Sequence, residues 1–121
     1  MSQTEIVLDR SVLDELVSSV GGDRAFVDDL AQTFLSDAAA HIAAIEDARS
    51  RGDAEAIVRP AHTLKSSSAT LGCLRLASVA RAIELEGKAG NIAEEAVNGA
   101  LATAWDEAAA AMQAWLAWEP A

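Results

Sequence analysis

His62 and Lys65, a histidine and a lysine three residues apart, are the side chains of this sequence best suited to chemistry. On a helix, the residues that share the face of His62 are Arg59, Lys65, Ser66 and Ala69. An imidazole is a good nucleophile near neutral pH because a large fraction of it is uncharged. Lys65 can neutralise a phosphoryl group on that ring, and the Ser66 hydroxyl can donate a hydrogen bond to it. These groups therefore suit a phosphoryl acceptor.

Small side chains at Ser66, Ser67 and Ala69 leave room for a second domain to approach this face closely. Phosphoryl transfer depends on positioning and charge stabilisation, which one exposed helix cannot supply alone. A partner is therefore expected to bring the metal ion and an acidic pocket. Two plainer explanations stay open. A lone helical histidine commonly has no chemical role, and small residues also occur where helices cross tightly.

The helix that carries His62 is predicted to begin near Asp53 and to end at Gly72. Pro60 is expected to kink it or to shift its effective start. Its inward stripe repeats at steps of three and four residues, at Ile57, Ala61, Leu64, Ser68 and Leu71. His62 is about 100° around the helix from Ala61, so it lies beside the buried stripe and outside it.

Helical spacing of apolar residues extends along almost the whole chain, and glycines divide it into four further helices. Their expected bounds are Asp9 or Ser11 to Gly21, Asp23 to Gly52, Leu74 to Gly87, and a last helix that reaches Trp115. The buried stripe of the second helix is predicted at Phe26, Leu30, Phe34, Ala38, Ile42, Ile45 and Ala48. The fold class is therefore all-α: an up-and-down four-helix bundle with an additional N-terminal capping helix.

The length of 121 residues fits a single domain over residues 1–121, with the bundle at about 9–118. Cys73 is the only cysteine, which excludes an internal disulfide and fits a reducing compartment. No apolar stretch reaches the roughly 20 residues of a membrane span, and the N-terminus does not resemble a secretory signal. We expect a cytoplasmic monomer without membrane insertion. The start at Met1 and the lack of a linker favour a separate protein over an excised domain.

The net charge of −10 argues against nucleic acid as a partner. Residues 56–83 nevertheless contain no Asp or Glu, and they carry the four cations Arg59, Lys65, Arg75 and Arg81. Such a basic segment complements an acidic partner, although a chance scarcity of acids would look the same. His41 and His62 are the only histidines, and no third metal ligand stands at a convincing spacing. Neither a Ser-His-Asp arrangement nor a glycine-rich phosphate loop is evident.

The segment from Ala61 to Gly72, AHTLKSSSATLG, resembles the signature of histidine phosphotransfer (HPt) domains, His-x-Leu-Lys-Gly-Ser-Ser followed by a Leu-Gly pair. The family's N-terminal pattern is resembled at Leu8-Asp9, Gly21-Gly22, Phe26, Leu30 and Phe34. The pattern of the following helix is resembled at Leu74, Leu76, Ala77, Ala80 and Ile83-Glu84. The resemblance covers roughly residues 6–116.

By this resemblance, His62 matches the histidine that is phosphorylated, and Lys65 matches the lysine that neutralises the phosphoryl group. Ser66 stands where the family commonly has glycine, which lets a receiver loop approach. Glu84 and Lys88 fall where the family places polar groups that flank the site from the next helix.

The resemblance implies a phosphorelay intermediate. His62 accepts a phosphoryl group from a receiver-domain aspartate of a hybrid sensor kinase, and a response-regulator receiver then takes it. Such a protein is a phosphocarrier without kinase activity of its own, and it has no cofactor because the receiver supplies Mg²⁺. The alternative is an adaptor that docks on receiver or kinase domains without transfer, but His62 and Lys65 favour transfer. The donor, the acceptor and the direction of flow stay open.

Overall fold

The computed structural model describes residues 6–94 and 96–118, which form a helical bundle. Its helices are α1 (Arg10–Ser19), α2 (Arg24–Ser50), α3 (Ala54–Thr70), α4 (Leu74–Lys88), a π-helix (Ala96–Leu101) and α5 (Ala102–Ala117). The prediction of an all-α bundle is confirmed. Helix α3, which carries His62, packs against both α2 and α4. Within the described ranges, each helix is too short or too polar to span a bilayer.

Aspartate side chains cap the first three helices. Asp9, Asp23 and Asp53 accept hydrogen bonds from the backbone N–H groups of Ser11, Phe26 and Ala56. Of the two expected starts of the first helix, the structure therefore has the one at Asp9. Pro60 lies inside α3 and does not shift its start, which is fixed by the cap at Asp53.

The turn between α3 and α4 is held by the segment that precedes α1. The backbone N–H of Asp9 donates to the Gly72 carbonyl at 2.8 Å, and that of Arg75 donates to the Ile6 carbonyl at 2.9 Å. Gly72 has φ of +83°, and a Cβ there would lie 2.7 Å from the Asp9 carbonyl oxygen. Only glycine fits, because both the conformation and the space exclude a side chain.

The predicted inward stripe of α3 is confirmed, and its members are all buried: Ile57, Ala61, Leu64, Ser68 and Leu71. The start of the stripe predicted for α2 is wrong. Phe26 and Leu30 are 48% and 39% exposed, and Val27 and Ala31 occupy the buried positions. Steps of four residues advance about 40° beyond a full turn, so Phe26 is rotated well away from Phe34. Val27, seven residues before Phe34, stays in line with it.

Helices α3 and α4 approach closely at Gly87. A Cβ on this residue would lie 3.1 Å from both the Ala54 carbonyl oxygen and Cγ2 of Val58. The sequence predicts that α4 ends at about Gly87, and in the structure it ends at Lys88. The glycine therefore provides close packing within the helix, three residues after Glu84.

Candidate functional site

His62 lies on the outer face of α3, where its side chain is 59% exposed. Arg59, Ser66 and Ala69 are exposed on the same helix, and Lys65 is half-buried. The structure thus places the predicted residues of α3 on one accessible face. What each of them contributes to phosphoryl chemistry stays a prediction.

Glu84 of α4 is the centre of the site, and its side chain is only 3% exposed. Its Oε2 lies 2.8 Å from Nδ1 of His62 and 3.1 Å from Nζ of Lys88. Its Oε1 lies 2.8 Å from Nζ of Lys65. We call these four residues, His62, Lys65, Glu84 and Lys88, the Glu84 cluster. The structure therefore brings together the two residues predicted on α3 and the two predicted on α4.

The cluster keeps the Glu84 carboxylate ionised. The hydrogen bond from Lys65 has the largest effect and lowers the pKa of Glu84 to about 2, against burial, which raises it. Hydrogen bonds from His62 and Lys88 lower this pKa further. A buried carboxylate with these partners carries its negative charge throughout the neutral pH range.

The charge on Glu84 determines which nitrogen of His62 holds the proton. An ionised carboxylate can only accept hydrogen bonds, so Nδ1 of His62 donates its proton to Oε2. In the neutral ring, Nε2 then carries the lone pair. Because the side chain is largely exposed, the ring is accessible to a partner. The geometry can therefore present Nε2 as a nucleophile.

Two surface depressions adjoin the site. An open one of about 590 Å³ surrounds His62, and it includes Arg59, Thr63, Glu84 and Lys88. The second, which we call the apolar groove, has a volume of about 310 Å³ and lies between α1, α2 and α3. Its lining residues are Leu16, Leu30, Thr33, Phe34, Asp37, His41, Thr63, Ser67, Thr70 and Leu71. Thr63 lines both, so the apolar groove adjoins the surface around His62.

The sequence predicted Glu84 only as a flanking group, and its central position was missed. One local signal existed. Glu84 follows Ala77 and Ala80 by seven and four residues, which places a carboxylate on the buried stripe of α4. A buried acid needs cationic or hydrogen-bonding partners, and Lys88 at i+4 supplies one. Its bonds to α3 depend on helix packing, which the sequence does not show.

Among residues 6–94 and 96–118, no three His, Cys, Asp or Glu side chains are grouped so that they could hold a metal ion. A supply of Mg²⁺ by the partner stays a prediction.

The chain is similar to known proteins both in sequence pattern and in fold. A family model for the Hpt domain matches residues 29–115. The crystal structure of histidine-containing phosphotransfer protein B from Pseudomonas aeruginosa PAO1 is similar in fold, with a TM-score of 0.81 and 21% sequence identity. The match covers 93% of this chain and 96% of that chain. A comparison with curated proteins finds no match.

Proposed function

The chain belongs to the Hpt domain family, and we propose that it is a phosphorelay intermediate that carries a phosphoryl group on Nε2 of His62. The donor is a receiver-domain aspartate of a hybrid sensor kinase, and the acceptor is the receiver of a response regulator. The observation that carries the proposal is the hydrogen bond from Nδ1 of His62 to the ionised Glu84. It leaves the lone pair on the other nitrogen of an exposed ring.

Transfer to His62 is a substitution at phosphorus. The Nε2–P bond forms, the O–P bond of the aspartyl phosphate breaks, and its electron pair returns to the aspartate carboxylate. Nδ1 keeps its proton, so the phosphorylated ring becomes positively charged beside the Glu84 carboxylate. In onward transfer the ring leaves as neutral imidazole, a better leaving group than an anion. Glu84 therefore supports both directions.

The remaining residues of the face have supporting roles in this proposal. Lys65, one turn from His62, neutralises the phosphoryl group. Exposed Arg59 attracts the acidic pocket of the receiver, which contributes Mg²⁺. The small side chains of Ser66 and Ala69 allow the receiver to approach. The protein is then a carrier without kinase activity of its own.

The apolar groove is the docking surface in this proposal, and its occupant is an apolar segment of the same receiver domain. Exposed Leu30 lines the groove, and Phe26, one turn away on α2, is exposed too. Exposed apolar residues grouped in this way are typical of protein contacts. The groove shares Thr63 with the surface around His62, so one partner can cover both. A cytoplasmic monomer suits such transient contacts.

The test is phosphoryl transfer, in the presence of Mg²⁺, from a phosphorylated receiver domain to the native protein and to His62→Gln. We expect an acid-labile, base-stable phosphoryl group on the native chain and none on the variant. His62 is exposed, so the variant keeps its fold, which circular dichroism verifies. If the folded native protein binds receivers but accepts no phosphoryl group from a panel of them, it is an adaptor that docks without transfer.

A further inference from the structure

The two lysines and the His62 ring that contact Glu84 are arranged unequally around its carboxylate. Lys65 lies on α3 with His62, and its Nζ contacts Oε1 of Glu84. Lys88 lies on α4, four residues after Glu84, and shares Oε2 with Nδ1 of His62. The ammonium of Lys65 can therefore turn from Glu84 toward a group bound to His62 on the same helix. Lys88 lies on the same helix as Glu84 and one turn from it.

The proposed function requires Lys65 to have different partners in the unphosphorylated and the phosphorylated protein. In the unphosphorylated protein its ammonium is bound to Glu84, 2.8 Å from Oε1. A phosphoryl group on Nε2 of His62 brings about two negative charges to the same helix face and attracts that ammonium. If Lys65 leaves, a buried carboxylate loses its principal partner, and uncompensated buried charge is strongly unfavourable.

We propose that Lys88 is a positioning residue for phosphoryl transfer: it retains the Glu84 carboxylate as a counter-ion when Lys65 turns to the phosphoryl group. This inference rests on the proposed function. Its basis is geometric, because Nζ of Lys88 already lies 3.1 Å from Oε2, so the carboxylate keeps a cationic partner when Lys65 turns away. Glu84 then keeps its hydrogen bond to Nδ1 of His62 in both states.

Charge balance within the Glu84 cluster agrees with this role. With a neutral ring, the cluster carries a charge of about +1. Phosphorylation adds about two negative charges and leaves the ring positive, so the cluster becomes about neutral. Without Lys88 the phosphorylated cluster would carry a net charge of about −1. The missing positive charge would be the one next to the buried Glu84 carboxylate. Lys88 therefore stabilises the phosphorylated state more than the unphosphorylated one.

The experiment measures the equilibrium of phosphoryl exchange between this protein and a receiver for native protein, Lys88→Gln and Lys88→Arg. We expect Lys88→Gln to shift the equilibrium roughly tenfold toward the receiver, and Lys88→Arg to restore it, because a charge-assisted bond is removed and then replaced. Arg51→Gln, which removes an exposed cation after α2, outside both the basic segment and the Glu84 cluster, is the control and leaves the equilibrium unchanged.

Two further measurements separate this role from a structural one. Nitrogen NMR of unphosphorylated Lys88→Gln is expected to show the Nδ1–H form of His62, because Lys65 still holds Glu84. In a Lys65→Gln background, Lys88→Gln is expected to change the equilibrium less than about twofold, since no lysine remains to be released.

The outcomes are separable. If the native protein accepts a phosphoryl group and Lys88→Gln has the native equilibrium, the role of Lys88 is wrong while the proposed function stands. Loss of the Nδ1–H form before phosphorylation, or equal effects in both Lys65 backgrounds, also overturns it. If the native protein accepts no phosphoryl group, both proposals fail.

Discussion

Nδ1 of His62 and Oε2 of Glu84 lie 2.8 Å apart, so an exposed ring on α3 is joined to a carboxylate buried on α4. One residue thereby serves both the fold and the chemistry. Glu84 fixes the proton position on the ring, and it also anchors two lysines at the contact between the helices. Changes at Glu84 are therefore expected to affect stability and transfer together.

Glu84→Gln is expected to lower stability at neutral pH. The pKa of Glu84 is about 2 in the folded protein, below its ordinary value of 4.5. Its ionisation therefore stabilises the fold fully above about pH 4.5, and this contribution is lost as the pH falls through about 2. The contribution is at most about 3 kcal/mol. Urea unfolding of native protein and variant from pH 7 to pH 2 checks it.

The control for this measurement is Glu86→Gln, which removes an exposed carboxylate of the same helix. The free-energy difference between native protein and Glu84→Gln should narrow toward zero in acid, while that of Glu86→Gln stays small. A difference for Glu84→Gln that is independent of pH would contradict the assignment of a strongly lowered pKa.

Lys65→Gln is expected to slow phosphoryl transfer roughly a hundredfold at saturating receiver, because one charged group that stabilises the transferred phosphoryl group is lost. The receiver concentration for half-maximal rate should change little. Quenched-flow transfer measures both parameters. If Lys65→Gln raised the receiver concentration for half-maximal rate and left the rate at saturation unchanged, Lys65 would act in docking.

Leu30→Ser is expected to weaken receiver binding about tenfold without lowering stability, because Leu30 is exposed and lines the apolar groove. Leu85→Ser is the matched control, since Leu85 is 49% exposed on α4 and does not line that groove. Titration calorimetry of both variants with one receiver makes the comparison. If Leu30→Ser and Leu85→Ser bound the receiver with equal affinity, the apolar groove would not be part of the docking surface.

Ser66→Leu is expected to reduce transfer efficiency about tenfold, because a large side chain beside His62 blocks close approach of the receiver. Ser66→Gly should retain transfer and cost about 0.5 kcal/mol of stability, since glycine is the poorer helix former. Ala110→Leu, a similar enlargement on exposed α5 surface, is the control. Full activity of Ser66→Leu would show that the partner does not pass close to this residue.

Cys73 is expected to react slowly with thiol reagents in the folded protein. Its side chain is buried, and burial raises the pKa of the thiol to about 12. At pH 8 the thiolate fraction is then on the order of 10⁻⁴. Labelling should accelerate sharply in urea, which also gives a folding check for every variant above. Rapid labelling of the native protein would show that the α3–α4 turn opens readily.

Local signals predicted most of the helical fold. The start of α3 near Asp53 and the stripe from Ile57 to Leu71 are set by residues close together in the sequence, and both are present in the structure. Phe26 shows where such reasoning fails. Repeated steps of four rotate around the helix, and only packing decides which neighbouring position becomes buried.

The residues of the site on α3 could be predicted from the sequence, but the central position of Glu84 could not. His62, Lys65 and Ser66 lie together because they are close in one helix. Glu84 stands 22 residues from His62, and their contact depends on the separation and rotation of two helices. The sequence can place a carboxylate on a buried stripe, but it does not say which side chains on the other helix meet it.

Gly87 sets that separation, since any side chain there would meet the backbone and Val58 of α3. His62 donates a hydrogen bond to Glu84 across the same contact between α3 and α4, and this hydrogen bond weakens as the two helices move apart. The reactivity of the ring can therefore be retuned from a position that never meets phosphorus or the partner. For engineering slower or faster relays, the spacing of the scaffold is as usable a variable as the reacting groups.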